Sequence, residues 1–319
     1  QNMISFIVIG RNEGQYLDSC FKSIRKAIYE NNLIDSEIIY VDSNSTDNSI
    51  DIAIKNEIDK IYMLTEIWNA AIGRNIGAIN ARGDDLFFID GDMELVSNFI
   101  PLVIDDNGNL KYDLVSGNLY QIFYNKHGRI QEEKLEFRER RNSYKKPITG
   151  GSFFIKKEIY KNIGGMDNRF WCSEDPELGL RLAKKGVLLQ YLPATFIKHH
   201  TDVLKNPKVT DLKKGGWLYG NILMYKLNLF NKFTYKRMLF SDSSLIVLIF
   251  CIICFFMGLK WIMILYPITL LIRIKFKISK SGFQKYIYLL CRDILVAIMF
   301  IPFYKKPIPT ANIKYQIIK

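Results

Sequence analysis

The run Phe87-Phe88-Ile89-Asp90-Gly91-Asp92 sets two carboxylates one glycine apart at the end of an apolar stretch. Carboxylates so placed do not belong in a core. At the mouth of a sheet they are hard oxygen ligands suited to Mg²⁺ or Mn²⁺ that also takes phosphate oxygens. Gly91 would let backbone approach a bound group closely. The competing reading is an acidic turn, since Asp90-Gly91 is a common turn dipeptide. A second acidic constellation follows some eighty residues on, Trp171-Cys172-Ser173-Glu174-Asp175-Pro176-Glu177. Its carboxylates could merely complement a helix N-terminus. Beside Trp171, and with Gly150-Gly151 upstream, they also suit a general base that takes a proton from an acceptor hydroxyl. His199-His200 come next. As sequence neighbours they cannot both face one metal comfortably, so one ligand at most is expected.

These residues need elements to hold them. Ile4–Ile9, Glu37–Val41, Lys60–Leu64 and Asp85–Ile89 are β-rich runs. Leu17, Cys20, Phe21, Ile24 and Ile28 recur at helical spacing between the first two. Ser45 or Thr46 could cap a second helix, and Asn69–Arg82 reads as a third with small residues facing inward. Strand–helix–strand units of this length build an α/β domain on a parallel sheet, whose ligands bind outside the carboxyl ends of the strands. Polar residues gather at those ends: Gly10-Arg11-Asn12-Glu13-Gly14, Val41-Asp42-Ser43-Asn44-Ser45-Thr46-Asp47, and Arg74-Asn75 at the third helix. There Asp42 can accept from a base N–H, and Arg74 can face a base or a diphosphate. The GxGxxG and Walker patterns are absent, which disfavours an NAD or P-loop protein. From Leu114 the pattern becomes mixed, with a helix expected at Lys156–Gly164 and another opened by Pro176.

Charge divides the chain. Lys and Arg number 44 against 32 Asp and Glu, a net +12 over 319 residues, yet residues 241–319 alone hold 11 against 2. A nucleic-acid binder would carry that charge on the folded domain, interleaved with aromatics. Here it flanks apolar runs, Leu245–Leu259 and Trp261–Ile272 either side of Lys260, then Ile287–Phe303 with Arg292 and Asp293 inside it. A membrane surface is the expected partner, with no nucleic acid. The first two runs read either as one span or as a hairpin turning at Gly258-Leu259-Lys260. The competing view is a buried helical hairpin that makes a homo-oligomer in water. Five irregular cysteines form no disulfide framework, and Cys251 and Cys254 read as core or lipid-facing residues. Met3–Gly10 lacks a basic leader, so no signal peptide is expected, and the soluble part is expected in a reducing cytoplasm.

Taken together, Val8-Ile9-Gly10-Arg11-Asn12-Glu13, Val41 to Asp47, Arg74-Asn75, Asp90-Gly91-Asp92, Gly150-Gly151 and Glu174-Asp175 resemble a family 2 glycosyltransferase of the GT-A fold. The resemblance covers about Met3–Thr201 in the expected order. It implies a Rossmann-like GT-A catalytic domain over 3–240 with a mostly parallel central sheet, then a hydrophobic, membrane-associated helical tail over 241–319. It further implies metal-dependent, inverting transfer of a hexosyl or N-acetylhexosaminyl group from a nucleotide-diphosphate sugar, with UDP favoured. Gly10, Arg11, Glu13, Asp42, Ser43, Arg74, Asp90 and Gly91 would bind the donor, Asp42 at the base, Arg74 on the nucleotide and Asp90 at the ribose. Asp92 would hold Mn²⁺ or Mg²⁺ with His199 or His200. Asp175 would be the base with Glu174 beside it, and Gly150, Gly151, Trp171, Arg181 and Trp217 would face the acceptor.

The chain departs from the pattern in two places. Asp42-Ser43 stands where many members have two aspartates, and no QxxRW follows Glu174-Asp175, which disfavours processive polymerisation. Anchoring and family together lead to a lipid-linked glycan acceptor in envelope polysaccharide synthesis, at the cytoplasmic face of the inner membrane. The alternatives are a nucleotidyltransferase on the same plan, which would want a glycine-rich basic loop after the first strand, and a membrane assembly protein that binds nucleotide sugar without turnover.

Overall fold

The computed structural model describes residues 2–125, 130–135, 142–147, 149–202, 217–275 and 280–319. The first stretch alternates as its apolar spacing requires: β1 (Ile4–Gly10), α1 (Leu17–Glu30), β2 (Ser36–Asp42), α2 (Ser49–Lys55), β3 (Lys60–Leu64), α3 (Ala70–Asn80) and β4 (Asp85–Asp90). These strands lie parallel in the order β3-β2-β1-β4. Register brings the polar strand ends together, with Gly10 opposite Asp42 and Ile9 opposite Asp90. Phe6 and Val8 enter one core while Ile7 and Ile9 enter the other, as a strand buried on both faces must. Asn69 caps α3 by accepting from the Ile72 N–H at 2.8 Å. Gly73 and Gly77 let α3 lie close on β1, since a Cβ at Gly77 would come within 2.3 Å of Ile7.

The rest of the sheet is not parallel in the same way. After β5 (Met93–Leu95) and the short α4 (Ile100–Val103) come β6 (Leu114–Tyr124), β7 (Ile130–Leu135), β8 (Tyr144–Lys146), β9 (Phe153–Lys156), α5 (Lys157–Asn162), α6 (Glu174–Lys184) and β10 (Leu189–Asp202). The order runs β3-β2-β1-β4-β9-β6-β10-β5, with β7 on β6 and β8 on β10. Among the described residues only β6 and β10 add a further parallel pair. β9 runs antiparallel to β4 and to β6, and β5 antiparallel to β10. A mostly parallel sheet was the expectation, and the sheet is mixed. The physical reason is that β9 inserts between β4 and β6 and runs against both, so the parallel run ends at β4.

Two helix starts also move. α2 begins at Ser49 behind Asn48, not behind Ser45 or Thr46, because Ser45 is bonded to Asp42 instead. α6 begins at Glu174, two residues before Pro176, so its carboxylates lie in the first helical turn. Ser173 precedes it with a left-handed φ of 66°.

The chain divides into two compact units. Gln1–Phe170, Glu174–Val203 and Pro307–Lys319 form one compact unit, and Trp171–Ser173 with Leu204–Lys306 form another. The last residues rejoin the first unit because β11 (Tyr315–Ile317) pairs antiparallel with β3. Asn168 holds the chain just before it, donating to the Ile308 carbonyl and Thr310 Oγ1 at 2.9 and 3.0 Å.

The second unit contains α7 (Trp217–Leu227), α8 (Lys232–Ser241), α9 (Ser243–Phe256), a short 3₁₀ turn at Lys260–Ile264, α10 (Leu265–Arg273) and α11 (Lys280–Met299). The chain reverses after α9 at Gly258, whose φ of 84° suits glycine. Leu248, Cys251 and Cys254 pack there on Ile262, Tyr266, Leu270 and Leu289. Among the described residues no single helix is long and apolar enough to cross a membrane; one pair, Lys232–Leu239 with Ser243–Phe256, meets the length and composition only when joined across a 97° bend. Deleting residues 307–319 should therefore lower the thermal unfolding midpoint of the protein by several degrees, because it uncovers the β3 edge and strips Asn168 of two acceptors. An unchanged midpoint would mean these residues are a dispensable tail.

Candidate functional site

The carboxyl edge of β1, β2 and β4 carries two interlocked loops. Asn12 and Asn44 adopt left-handed φ of 58° and 60°, a region asparagine tolerates. The Asn12 N–H donates to Ser45 Oγ at 2.9 Å, and the Thr46 N–H to Asn12 Oδ1 at 2.8 Å. Asp47 accepts from the Gly14 N–H at 2.9 Å. Asp42 is fully buried and accepts from Tyr40, from Ser45 N–H and from Ser45 Oγ at 2.6–2.8 Å. Its charge is thereby given to fixing the loops, and Ser43 is buried next to it. Arg11 is exposed and lies 4.6 Å over the Trp68 ring, a cation–π platform at the same edge. Nothing in the spacing of the sequence marked Trp68.

Arg74 stands at the centre. Its side chain is 1% exposed, and it donates to Asp90 Oδ1 at 2.7 Å and to Glu174 Oε1 at 3.0 Å. Burial works against its charge, but Asp90, Glu174 and Asp175 raise its pKa above the ordinary arginine value. Gly151 lies against this pair: a Cβ there would come within 3.0 Å of Asp90 and 3.1 Å of Arg74. A Cβ at Gly150 would meet nothing. Next to Arg74, Asn75 is wholly engaged inside the fold, bonded to Met166, Asn168 and Tyr160.

The carboxylates are not equal. Burial pushes Asp90 up to about 6, with Arg74 opposing and Asp92 adding to the rise. Burial pushes Asp175 up to about 8; the Glu174 charge adds to it and Arg74 opposes it. Thr149 donates to the Asp175 carbonyl at 2.5 Å, an anchor that sequence reading missed. Glu13, packed against Gly91, is raised to about 8 by burial and then by Asp92, Asp90 and Asp47, with His199 lowering it. Glu13, Asp90 and Asp92 thus press on one another where a cation would relieve them.

Adjacent histidines on β10 point to opposite faces. His199 Nε2 lies 3.1 Å from Asp92 Oδ2, because β10 pairs antiparallel with β5 and sets His199 opposite Met93. His200 instead meets Glu94 at 2.9 Å and Tyr124 at 2.8 Å, with Tyr16 stacked on its ring at 5.2 Å. Tyr16, Glu94 and Tyr124 were not legible as partners from spacing. Among the described residues no group of three or more His, Cys, Asp or Glu side chains forms a metal site. Asp92 with His199 is a two-ligand set, and the acid crowd around it fits a divalent ion that draws its other ligands from diphosphate and water.

The residues expected to face an acceptor are dispersed. All three guanidinium nitrogens of Arg181 serve Glu177 and the carbonyls of Ile163 and Gly165, so Arg181 braces α6 against the turn after α5. Trp171 is 56% exposed and belongs to the second unit, where Cys172 abuts Gly220 of α7. Trp217 begins α7, and its side chain lies outside the described residues. A cavity of about 480 Å³ bordered by Lys22, Lys26, Glu94 and Lys198 contains none of Asp90, Asp92, Glu174 and Asp175.

The family model described as Glycosyl transferase family 2 matches residues 5–164, and that of Glycosyl transferase family group 2 matches residues 116–275. The chain is 33% identical over 122 residues to glycosyltransferase GlyG of Streptococcus pneumoniae serotype 4, covering 37% of this chain and 39% of that protein. It is 32% identical over 71 residues to an N-acetylglucosaminyl-diphospho-decaprenol L-rhamnosyltransferase of Mycobacterium tuberculosis, covering 22% of each. The match thus spans well under half the length of these relatives. In fold it resembles S. aureus TarS 1-349 in complex with UDP-GlcNAc, with a TM-score of 0.54 at 13% identity over 95% of this chain and 93% of that one. It also resembles GalNAc-T7 with UDP, GalNAc and Mn2+, with a TM-score of 0.51 at 15% identity over 70% of this chain and 50% of that one.

Two outcomes follow from the geometry. Arg74→Ala leaves Asp90 and Glu174 facing each other without a cation and should destabilise the fold by about 3–5 kcal/mol; chemical denaturation measures it, and a loss within experimental error would refute the bridge. Asp175→Asn should do the opposite. A carboxyl raised to about 8 in the folded state binds its proton more tightly than in the unfolded chain, so stability falls as pH rises from about 4 to about 8. The Asn variant escapes that loss: in chelator it should unfold at a higher temperature than wild type at pH 8–9, with the gap closing toward pH 4.

Proposed function

The chain belongs to glycosyl transferase family 2, and from that premise we propose that it moves a hexosyl or N-acetylhexosaminyl group from a UDP-sugar to a hydroxyl of a lipid-linked glycan, with inversion. The observation that carries this reading is the buried bridge from Arg74 to both Asp90 and Glu174, which keeps the Glu174–Asp175 pair beside the Asp90-Gly91-Asp92 turn. Donor-side and acceptor-side carboxylates then share one cation. The UDP in the TarS and GalNAc-T7 structures supports the nucleotide, and the name of the Mycobacterium tuberculosis relative supports a polyprenyl-linked acceptor. We place the reaction at the cytoplasmic face of the inner membrane, in envelope polysaccharide synthesis.

In this mechanism Asp90 accepts from the ribose, Arg11 over Trp68 offers a flat cationic surface for the base, and Ser43 lies beside Asp42 at the same edge. Asp92 and His199 would hold Mn²⁺ or Mg²⁺, which neutralises charge on a departing diphosphate when bound. Asp175 takes the proton of the acceptor hydroxyl as its oxygen bonds to the anomeric carbon. The bond from that carbon to the diphosphate oxygen breaks, and the electron pair leaves with UDP. Attack opposite the leaving group inverts the centre with no covalent enzyme intermediate. His200, clasped by Glu94, Tyr124 and Tyr16, fixes the strand position of His199.

Transfer from radiolabelled UDP-sugars to lipid-linked acceptors tests the assignment. Asp175→Asn should cut turnover by about 10²–10⁴-fold while a UDP-sugar still raises the melting midpoint as in wild type. Because the base works only when ionised, kcat/KM of wild type should climb with pH, reach half its limit near pH 8 and level off about one unit higher. Undiminished turnover in Asp175→Asn would remove Asp175 from the mechanism.

A further inference from the structure

The second unit leaves a broad apolar surface uncovered. In α9, Leu245, Leu248, Cys251 and Cys254 face inward, yet Ile249, Phe250, Ile253, Phe255 and Phe256 on the other side are exposed. The surface continues through Met257, Leu259 and Trp261 to Ile264, Leu265, Ile268 and Ile272 of α10. Phe256 is 83%, Trp261 72% and Ile264 62% exposed. A helix apolar on every side belongs inside a protein or against lipid, and a patch this extensive marks an interaction surface.

Charge decides between occupants. From Ser243 to Cys291 the sequence has no Asp or Glu, while the exposed Lys260 and Lys275 border the apolar residues. Two copies paired on this face would set cation against cation with no carboxylate to answer it. An anionic bilayer supplies the missing charge and takes the apolar residues. Length decides the mode. At 14 residues α9 is about 21 Å long, short of the roughly 30 Å hydrocarbon core, and the chain turns back at Gly258. Lys260 lies 5.9 Å over the Phe255 ring, so its stem can follow the apolar surface while its ammonium stays in the headgroups. Trp261 beside it is the side chain that favours that same layer.

We propose that the hairpin α9–Gly258–α10 docks in the plane of one leaflet of an anionic bilayer, seating Phe250, Ile253, Phe256, Trp261 and Ile264 at the acyl boundary, without crossing it. This deepens the membrane-borne acceptor reading above, but binding is measured apart from transfer. The full chain is sedimented with vesicles of phosphatidylglycerol and of phosphatidylcholine. Partition into the anionic vesicles should exceed the neutral ones about tenfold or more at low salt and fall as salt rises. The triple variant Phe256→Ser, Trp261→Ser, Ile264→Ser should lose about tenfold or more on both, with an unchanged melting midpoint because all three side chains are exposed. Lys260→Glu with Lys275→Glu should remove only the anionic preference. The idea fails if wild type stays in the supernatant, if the triple variant binds like wild type, or if the bound protein resists alkaline extraction as a spanning protein does. It also fails if light scattering finds a dimer that the triple variant abolishes and vesicles do not bind. Vesicle binding with transfer only to soluble acceptors would keep the surface and sink the acceptor; transfer to lipid-linked acceptors without vesicle binding would do the reverse.

Discussion

The geometry of the site hangs on one guanidinium. Arg74 projects from α3 between the end of β4 and the first turn of α6, and a buried arginine cannot shed its charge. It must have carboxylates, and Asp90 and Glu174 are the two it takes. Everything near it is shaped by that need. Gly151 has no side chain because a Cβ would strike the pair. Asn75, the next residue on α3, is bonded on all sides so that the helix cannot rotate and move the guanidinium. Lysine would keep the charge but lose the planar fork that spans two acceptors at once.

One cation for so many acids leaves a deficit, and the deficit is informative. Asp90 and Glu174 hold Arg74, while Asp175 beside them and Glu13 across the cleft are pushed toward their protonated forms. Such a cluster is costly in an empty protein and makes sense only for a guest that brings positive charge or takes protons. A sugar diphosphate alone would worsen the repulsion. On the proposed reading, a divalent ion held by Asp92 and His199 would relieve it by supplying the positive charge that the carboxylates lack.

The chemistry was more legible in the sequence than the frame. Asp90-Gly91-Asp92, Arg74 and Glu174-Asp175 stand out because carboxylates and a glycine at a strand end have few other uses, and register does bring Gly10, Asp42 and Asp90 to one edge. Local spacing cannot report long-range pairing. The antiparallel β9 and β5 decide that Gly151 meets Arg74 and that His199, not His200, reaches Asp92. Arg181 was expected at the acceptor side, but its carbonyl acceptors, Ile163 and Gly165, lie some sixteen residues or more earlier across a turn. The last residues were unreadable for the same reason. β11 is three residues long, and its partner β3 lies some 250 positions away.

That return of the chain bears on how the apolar helices are held. Had residues 241–319 been a simple tail, the charge surplus near the C-terminus would describe one flexible anchor. Instead the helical stretch is closed at both ends by segments belonging to the sheet unit, Glu174–Val203 before it and Pro307–Lys319 after it. Closure at two points shortens the range over which an intervening segment can wander. Lys226 tightens the exit further, donating to the carbonyls of Ile301 and Phe303 at 3.0 and 2.7 Å. The helical stretch Leu204–Lys306 is thus flanked in the chain by parts of the sheet unit.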